Sequence, residues 1–471
     1  MKVLILGAGP SGLAAAWKLA SANVEVEIVE LENQVGGLCR TIKHGEYSFD
    51  LGGHRFITQN ISLADEIKKL MGDELLDRPR TSTIRLQGKY FHYPLESIDL
   101  LKKMRITTSI KCFLDYCFTG VKNKIFHKED LSLEDWVVNR FGRSLYNIYF
   151  GPYSAKLWGM PPTQISSDWA AQRISLLNLW DVFLRLLGKK KNMPKTYATK
   201  FYYPKMGIGR IPERMCEEAC KNGATLHLNT KVKEIVFEEN KAKGVVLIEN
   251  GTTKYFSADY IISSIPLPDM VKMIRPEVST EYIEVVNSMK YRGIRFMNLC
   301  INKEKISDNT WIYIPEEEFL FFRIQETKNW SPYHVPSGKT ALILEIACNE
   351  GDATWNNTEY LTYKRCVEDL KKLGFDVEYQ VKDYFSTRIK HAYPIYDLNY
   401  REKLSKIYSL LAKLDNFIPC GRQALYRYNN MDHSIEMGIV ASNHILKGLP
   451  KYEIFKIASE AVPFETDEKQ A

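Results

Sequence analysis

The chain has 471 residues, of which 45% are hydrophobic and 12% aromatic, and it carries a net charge of +7. The apolar content excludes a disordered chain, and the length predicts two lobes rather than one core. A charge this mild fits an anionic small-molecule ligand or a membrane surface and excludes a nucleic-acid-binding footprint. Nine cysteines without a CxxC pair predict reduced thiols in the cytoplasm and no metal site.

The first thirty residues predict a strand, a tight turn, a helix and a second strand that ends on Glu30. The turn consists of Gly7, Ala8, Gly9, Pro10, Ser11 and Gly12. In such a unit the first glycine permits the turn, the second lets a pyrophosphate approach, and the third lets the helix pack closely. The helix N-terminus offers N–H groups to the phosphates, and Glu30 is placed to bind a ribose diol. The pattern predicts FAD or NAD rather than NADP.

The elements predicted after Glu30 follow in chain order: glycine turns at 33–41 and 50–56, a hairpin at 83–93, helices across 97–188, a loop at 203–212, a helix at 213–222, strands within 225–264, and mixed elements at 289–381. The hairpin has Gly88 in its turn. Ser132 and Asp135 have the form of a capping box, which predicts a helix that ends near Gly142. This order predicts an α/β fold whose dinucleotide unit is discontinuous.

Four segments together resemble the FAD-dependent amine oxidase superfamily, which includes protoporphyrinogen oxidases, phytoene desaturases and UDP-galactopyranose mutases. These segments are the first glycine turn with Glu30, the turn at 33–41, the strand at 258–266 and the stretch at 420–432. The resemblance implies a Rossmann-type (GR2-like) domain that binds FAD, because the last stretch is similar to a flavin cap. Beyond the first turn and Glu30, it implies cofactor contacts from Gly36, Gly37, Leu38, Arg40, Gly52, Gly53, His54, Val232, Gly421, Arg422, Asn430, Met431 and Asp432.

The resemblance also divides the chain into five predicted segments. They are an FAD-binding part at 1–80, a helical substrate insert at 81–200, a second FAD-binding part at 201–275, a substrate-domain sheet at 276–395, and a third FAD-binding part with a C-terminal helix at 396–471.

Two further stretches resemble the mutase branch. Residues 150–159 are similar to its FxGYTxKxWG signature, and residues 392–396 to its substrate-side tyrosine pair. The resemblance implies catalytic or substrate-wall roles for the following side chains: His54, Trp158, Arg173, Tyr393 and Tyr396. Of the two arginines that bind diphosphate in the mutase, one has its best counterpart in Arg173 and the other in Arg292 or Arg295. Each of these side chains also has an ordinary interpretation as a core or surface residue.

Three functions remain open at this point. The first is an FAD-dependent oxidoreductase that takes a hydride at flavin N5 from a sugar, nucleotide sugar or lipid-linked sugar. The second is a mutase-type isomerase that uses reduced FAD to interconvert pyranose and furanose rings. The third is a non-catalytic flavin-binding partner. Residues 174–187, followed by three lysines, predict either a buried helix or an amphipathic contact with a membrane surface.

Overall fold

The computed structural model describes residues 1–93, 103–125, 129–174 and 200–457. The strands are β1 (Lys2–Leu6), β2 (Glu25–Val29), β3 (Thr41–His44), β4 (Tyr47–Asp50), β5 (Leu75–Pro79), β6 (Ser82–Leu86), β7 (Lys89–His92), β8 (Lys200–Pro204), β9 (Thr225–His227), β10 (Thr230–Glu238), β11 (Lys241–Glu249), β12 (Thr252–Ser257), β13 (Tyr260–Ser263), β14 (Ile274–Arg275), β15 (Tyr291–Ile301), β16 (Trp311–Tyr313), β17 (Arg323–Glu326), β18 (Thr340–Cys348), β19 (Val381–Pro394) and β20 (Phe417–Pro419).

The helices are α1 (Pro10–Ser21), α2 (Ile61–Met71), α3 (Ile106–Ile125), α4 (Leu133–Phe141), α5 (Arg143–Leu145), α6 (Gly151–Trp158), α7 (Ser167–Arg173), α8 (Arg210–Lys221), α9 (Leu267–Lys272), α10 (Thr280–Ser288), α11 (Thr327–Trp330), α12 (Ala353–Asn356), α13 (Glu359–Lys372), α14 (Tyr400–Ala412), α15 (Gly421–Ala424), α16 (Met431–Lys447) and α17 (Glu453–Lys456). A π-helical turn, Tyr146–Phe150, joins α5 to α6.

A parallel sheet forms the dinucleotide-binding lobe, with the order β20–β13–β1–β2–β9 in the described part of the chain. Both faces of β1 are buried: Val3 and Ile5 pack with α1 on one side, and Leu4 and Leu6 pack into a second core on the other. This double burial explains why β1 reads as a continuous apolar run. The strands come from the beginning, the middle and the end of the sequence, which confirms the predicted discontinuous α/β arrangement.

A larger mixed sheet has the order β19–β15–β18–β17–β16–β6–β7 over the described residues. The predicted hairpin is present as β6 and β7, and Gly88 in its turn has a φ of +78°. The hairpin was assigned to the helical insert, but β6 pairs in parallel with β16 and so joins this sheet. The edge of β6 that does not pair with β7 forms hydrogen bonds with β16, which lies more than 200 residues further along the chain. Local sequence patterns carry no information about such a distant pairing.

The capping box confirms the predicted start of α4. Ser132 Oγ accepts a hydrogen bond from Asp135 N at 3.1 Å, and the Asp135 carboxylate accepts one from Ser132 N at 3.2 Å. The helix ends before Gly142, as predicted. Helix α8 begins at Arg210, three residues before its predicted start, because Pro212 lies in the first turn, where no backbone N–H is needed.

The boundaries at 80, 200, 275 and 395 stay predictions. The predicted amphipathic stretch at 174–187 lies, except for its first residue, outside the described residues. Within the described part of the chain, no helix combines the length and the apolar character required to cross a bilayer.

Candidate functional site

A cavity of about 800 Å³ runs along the carboxyl edge of the parallel sheet. Four strands lead into its wall: β1 into Gly7, β2 into Glu30, β13 into Ser264, and β20 into the segment that contains Arg422. Ligands of open α/β sheets bind at this edge, beyond the carboxyl ends of the strands. The cavity therefore lies where a dinucleotide is expected.

Two glycine turns face each other across this cavity. A β-carbon on Gly37 would lie only 3.1 Å from Gly9 Cα, and Gly36 N donates a hydrogen bond to Ala8 O at 2.7 Å. A β-carbon on Gly12 would lie 2.1 Å from Gly7 O. Bare backbone at these positions leaves a cradle at the N-terminus of α1, which fits a pyrophosphate.

The charged groups around the cradle also fit a dinucleotide. The Glu30 carboxylate accepts hydrogen bonds from Ala8 N at 2.7 Å and from Glu32 N at 3.0 Å, and each oxygen retains a lone pair for a ribose hydroxyl. Arg40 Nη1 lies 3.1 Å from Glu32 Oε2. Its Nε is buried and has no hydrogen-bond partner among the described residues, so a phosphate oxygen would satisfy it.

The predicted cofactor residues fall into two groups. Those that line the large cavity are Gly7, Gly9, Pro10, Ser11, Glu30, Gly37, Leu38, Arg40, His54, Val232, Arg422, Asn430 and Met431. Those that do not line it are Ala8, Gly12, Gly36, Gly52, Gly53, Gly421 and Asp432. Several of the second group shape the backbone instead: Gly36, Gly52 and Gly421 have positive φ angles, and a β-carbon on Gly421 would lie 2.2 Å from Ser11 Oγ.

A second cavity of about 210 Å³ adjoins the first. The two cavities share four lining residues: His54, Arg422, Asn430 and Met431. Asn430 is the N-cap of α16 and Met431 its first residue, so the positive end of the helix dipole lies at the junction. The reactive end of a dinucleotide cofactor would lie at this junction and face a substrate in the second cavity.

His54 is neutral at the junction. Its Nδ1 lies 3.5 Å from Cys39 Sγ. Burial, reinforced by Arg422, Arg323 and Arg55, lowers the pKa of His54 to about 3. The ring can therefore donate or accept a hydrogen bond near neutral pH, but it carries no positive charge there.

Arginines and aromatic rings dominate the smaller cavity. Its cationic residues are Arg55, Arg80, Arg323 and Arg422, and no Asp or Glu occurs among the described residues that line it. Its aromatic residues are Tyr93, Tyr149, Phe150, Tyr153, Trp169, Tyr313, Phe322, Tyr393 and Tyr428. Such a lining suits an anionic substrate with several hydroxyl groups.

Packing holds these arginines in place. The guanidinium groups of Arg55 and Arg80 lie 5.2 and 5.4 Å from the ring centroid of Trp311. Arg323 binds Glu345 through two hydrogen bonds of 2.7 and 2.6 Å, and the Glu345 side chain is fully buried. None of these three arginines was a sequence candidate. The only local signal was for Arg55, which follows the Gly52–Gly53–His54 turn directly.

Two predicted catalytic residues lie behind the cavity wall. Trp158 packs edge-on against Trp169 and Tyr393, with ring centroids 5.4 and 6.0 Å apart. Tyr396 Oη accepts a hydrogen bond from Tyr428 N at 2.7 Å. Neither side chain lines either cavity. Both contact residues that do, and their predicted catalytic or substrate-wall role stays a prediction.

Tyr393 lines the smaller cavity, as expected of a substrate-side tyrosine. Arg173 is the last residue of α7, and the next residue, Ile174, lines the cavity. The Arg173 side chain is outside the described part of the structure, so its role stays a prediction.

The alternative arginine candidates, Arg292 and Arg295, are bound to protein groups away from both cavities. Arg292 donates to Leu157 O at 2.8 Å and to Asn349 Oδ1 at 2.7 Å. Arg295 donates to the carbonyl oxygens of Thr354 and Asn357 at 3.0 and 2.8 Å. Both are buried and line neither cavity. They tie strands of the mixed sheet to neighbouring segments.

Comparison with known proteins agrees with this geometry. Residues 10–407 match the sequence profile of the family described as flavin containing amine oxidoreductase. Probable UDP-galactopyranose mutase of Klebsiella pneumoniae is 21% identical over 467 residues, covering 96% of each chain. The 1-hydroxycarotenoid 3,4-desaturase of Flavobacterium sp. (strain P99-3) is 25% identical over 423 residues, covering 80% of this chain and 83% of its own. A crystal structure of reduced UDP-galactopyranose mutase shares the fold, with a TM-score of 0.85, 21% identity, and coverage of 98% of this chain and 99% of that one.

Proposed function

Because the chain belongs to the flavin-containing amine oxidoreductase family, we propose that it is an FAD-dependent isomerase of nucleotide-linked sugars. Membership confirms the predicted superfamily and FAD as the cofactor. The substrate and the reaction are the proposal. The observation that carries it is the arginine-lined cavity that meets the FAD cavity at His54, Arg422, Asn430 and Met431.

The charge of the smaller cavity favours a diphosphate-bearing substrate. Arg323 is oriented by the hydrogen bonds of its Nε and Nη2 to Glu345, and Nη1, which these bonds do not use, can donate to a phosphate oxygen. A hydrogen bond to a charged group contributes roughly 1.5–3 kcal/mol. A carotenoid has no group that would compensate the desolvation of several arginines, which argues against the activity of the desaturase relative.

The dimensions of the cavity favour the sugar end of such a substrate. A volume of about 210 Å³ lies below the usual range of about 300–1,000 Å³ for whole-ligand pockets. It suits one hexose ring, with the diphosphate against the arginines of the lining and the nucleoside extending outward. The tyrosine hydroxyls of Tyr93, Tyr153, Tyr313 and Tyr393 can exchange hydrogen bonds with sugar and phosphate oxygens.

The chain's own residues have the following tasks in this proposal. The facing glycine turns, Glu30 and Arg40 hold the cofactor. The N-terminus of α16 stabilises negative charge at the junction. Bound FAD supplies N5, which is a nucleophile in the reduced cofactor and a hydride acceptor in the oxidised one. Trp158 and Trp169 support the far wall and exclude water from the sugar.

Oxidation of the same substrate is the second candidate, since the 25% identical desaturase relative is a redox enzyme by name. The sequence alone placed oxidation first. The cationic cavity and the whole-chain similarity to a mutase support isomerisation as the first candidate and oxidation as the second. A protein that binds flavin without catalysing a reaction would not need a second cavity beside the junction, which argues against the third candidate function.

One assay distinguishes these functions. The FAD-loaded protein is incubated with UDP-, dTDP- and GDP-linked hexopyranoses, with and without dithionite, and the products are separated by anion-exchange chromatography. We expect a furanose product only in the reduced samples. If hydrogen peroxide or an oxidised sugar forms without ring isomerisation, the protein is an oxidoreductase and the proposed isomerase function is wrong. Turnover of none of the sugars under either condition would overturn the proposal.

A further inference from the structure

Helix α3 (Ile106–Ile125) carries an apolar stripe on its outer face. The stripe consists of Ile106, Ile110, Leu114, Phe118 and Val121, whose exposed fractions are 73, 54, 61, 69 and 60%. At 100° per residue these positions span an arc of about 120°, which is the width of a buried helix face. Burying such a face is the usual source of a helix's stability. The stripe is therefore a large apolar surface presented to the outside.

The other side of α3 is the one that packs into the protein. It contacts α4 and α5, and the carboxylate of Asp115 accepts a hydrogen bond from Ser144 N at 2.6 Å. Asp115 is the only acidic residue of the helix. The stripe is thus not needed for the contacts that α3 makes with the described helices.

The charges beside the stripe are positive. Arg105, Lys111 and Lys122 are exposed, and no Asp or Glu is exposed between residues 105 and 123. An apolar face bordered by Lys and Arg is typical of helices that lie in the interface of an anionic bilayer. A second copy of the same face is a poorer partner, because a two-fold contact would bring these like charges together.

From this combination we propose that α3 docks the protein on the surface of a bilayer that contains anionic lipids. The apolar side chains enter the boundary between headgroups and acyl chains, and the three basic side chains contact lipid phosphates. This inference is independent of the proposed reaction. It uses a different segment from residues 174–187, for which the sequence predicted either a buried helix or a membrane contact.

The test is flotation of the FAD-loaded full-length protein with two kinds of vesicle: phosphatidylcholine alone, and equal parts of phosphatidylcholine and phosphatidylglycerol. We expect binding to the anionic vesicles only, and a loss of at least tenfold in the double variant Leu114→Glu/Phe118→Glu. The variant Lys111→Glu/Lys122→Glu should lose binding as well, and added salt should weaken the binding of the wild type, because salt screens the attraction between these lysines and lipid phosphates. The control Leu361→Glu changes a side chain that is 52% exposed on another helix and should bind like the wild type.

Flavin absorbance and the thermal midpoint show that each variant is folded. The proposal is overturned if the wild type binds neither kind of vesicle, or if the stripe variants bind as well as the control. It is also overturned if light scattering shows a dimer that the stripe variants dissociate, since a second copy would then cover this face.

Discussion

A β-carbon on Gly438 would stand 2.1 Å from the carbonyl oxygen of Ser11. Helix α16 therefore lies against the backbone of α1, immediately beside the first glycine turn. Gly421 approaches the same residue, because its β-carbon would lie 2.2 Å from Ser11 Oγ. The two ends of the sequence thus meet at backbone distance around the cofactor cradle, and the FAD cavity depends on this contact.

We expect Gly438→Ala to separate α16 from α1. An added methyl group in a closely packed contact costs about 1–3 kcal/mol, and the shift would carry Asn430 and Met431 away from the cofactor. The measurements are the thermal midpoint and the fraction of flavin retained after gel filtration, both of which should fall. Gly120→Ala is the matched control, since Gly120 is also within a helix and nothing lies within 4 Å of its added β-carbon. That variant should be unchanged or more stable by about 0.5–1 kcal/mol. Equal behaviour of the two variants would contradict the close-packing argument.

The Arg323–Glu345 pair gives a prediction about substrate affinity. Arg323→Lys retains the positive charge beside the buried Glu345, but it loses the bidentate contact of Nε and Nη2 with Glu345 and, with it, the fixed position of Nη1, which would donate to a phosphate oxygen. We expect the KM for a nucleotide sugar to rise about tenfold, which corresponds to about 1.4 kcal/mol, while the flavin spectrum is unchanged. Steady-state kinetics on the active substrate measure the effect. The surface variant Arg214→Lys should leave KM unchanged, and an unaltered KM in Arg323→Lys would remove this residue from substrate binding.

Buried histidines predict how stability depends on pH. Burial lowers the pKa of His334 to about 3, whereas the same ring in the unfolded chain takes up a proton below about pH 6.5. Protons therefore favour unfolding as the pH falls from about 6.5, at up to about 1.4 kcal/mol per pH unit. His54 acts in the same direction. Asp50 opposes them, because burial raises its pKa to about 6 and its contribution to stability is lost as the pH rises through that value.

Burial also lowers the pKa of His391 and raises that of Glu316. With three such histidines against two such carboxyl groups, the free energy of unfolding should fall on acidification below about pH 6.5. The variant His334→Gln, which cannot ionise, should flatten this decline in urea titrations between about pH 6.5 and 4.5. His92→Gln changes an exposed histidine and should keep the wild-type slope. A slope that His334→Gln does not alter would show that this ring is protonated in the folded protein.

Much of the cofactor site could be predicted from the sequence, because its elements are local. Gly7 has a φ of +101°, and it lies between a strand and a helix. These features produce a recognisable sequence pattern within the first thirty residues. The second turn, Glu30 and the α16 cap were recognised in the same way. The close approach at Gly438 was not, since a glycine inside a helix gives no sign of what it packs against.

The substrate cavity was much less visible in the sequence. Arg55 lies beyond a glycine turn, Arg80 at the end of β5, and Arg323 at the start of β17, and no local pattern connects them. The sequence candidates were Arg173 for one arginine and either Arg292 or Arg295 for the other. Arg292 and Arg295 lie three residues apart in β15, and their side chains bind neighbouring protein groups rather than line either cavity. Likewise Trp158 and Tyr396 lie in segments that resemble a mutase, yet they support the wall from behind.

The sequence by itself determined that the chain binds a dinucleotide and that its binding lobe is discontinuous, because backbone conformation and hydrophobic period are properties of neighbouring residues. Only the tertiary structure decided which side chains face the substrate. That choice depends on long-range strand pairing and on the packing of inserts, which bring four arginines and a set of tyrosines to one cavity. Their shared positive charge, rather than any single motif, is what supports the proposed anionic substrate.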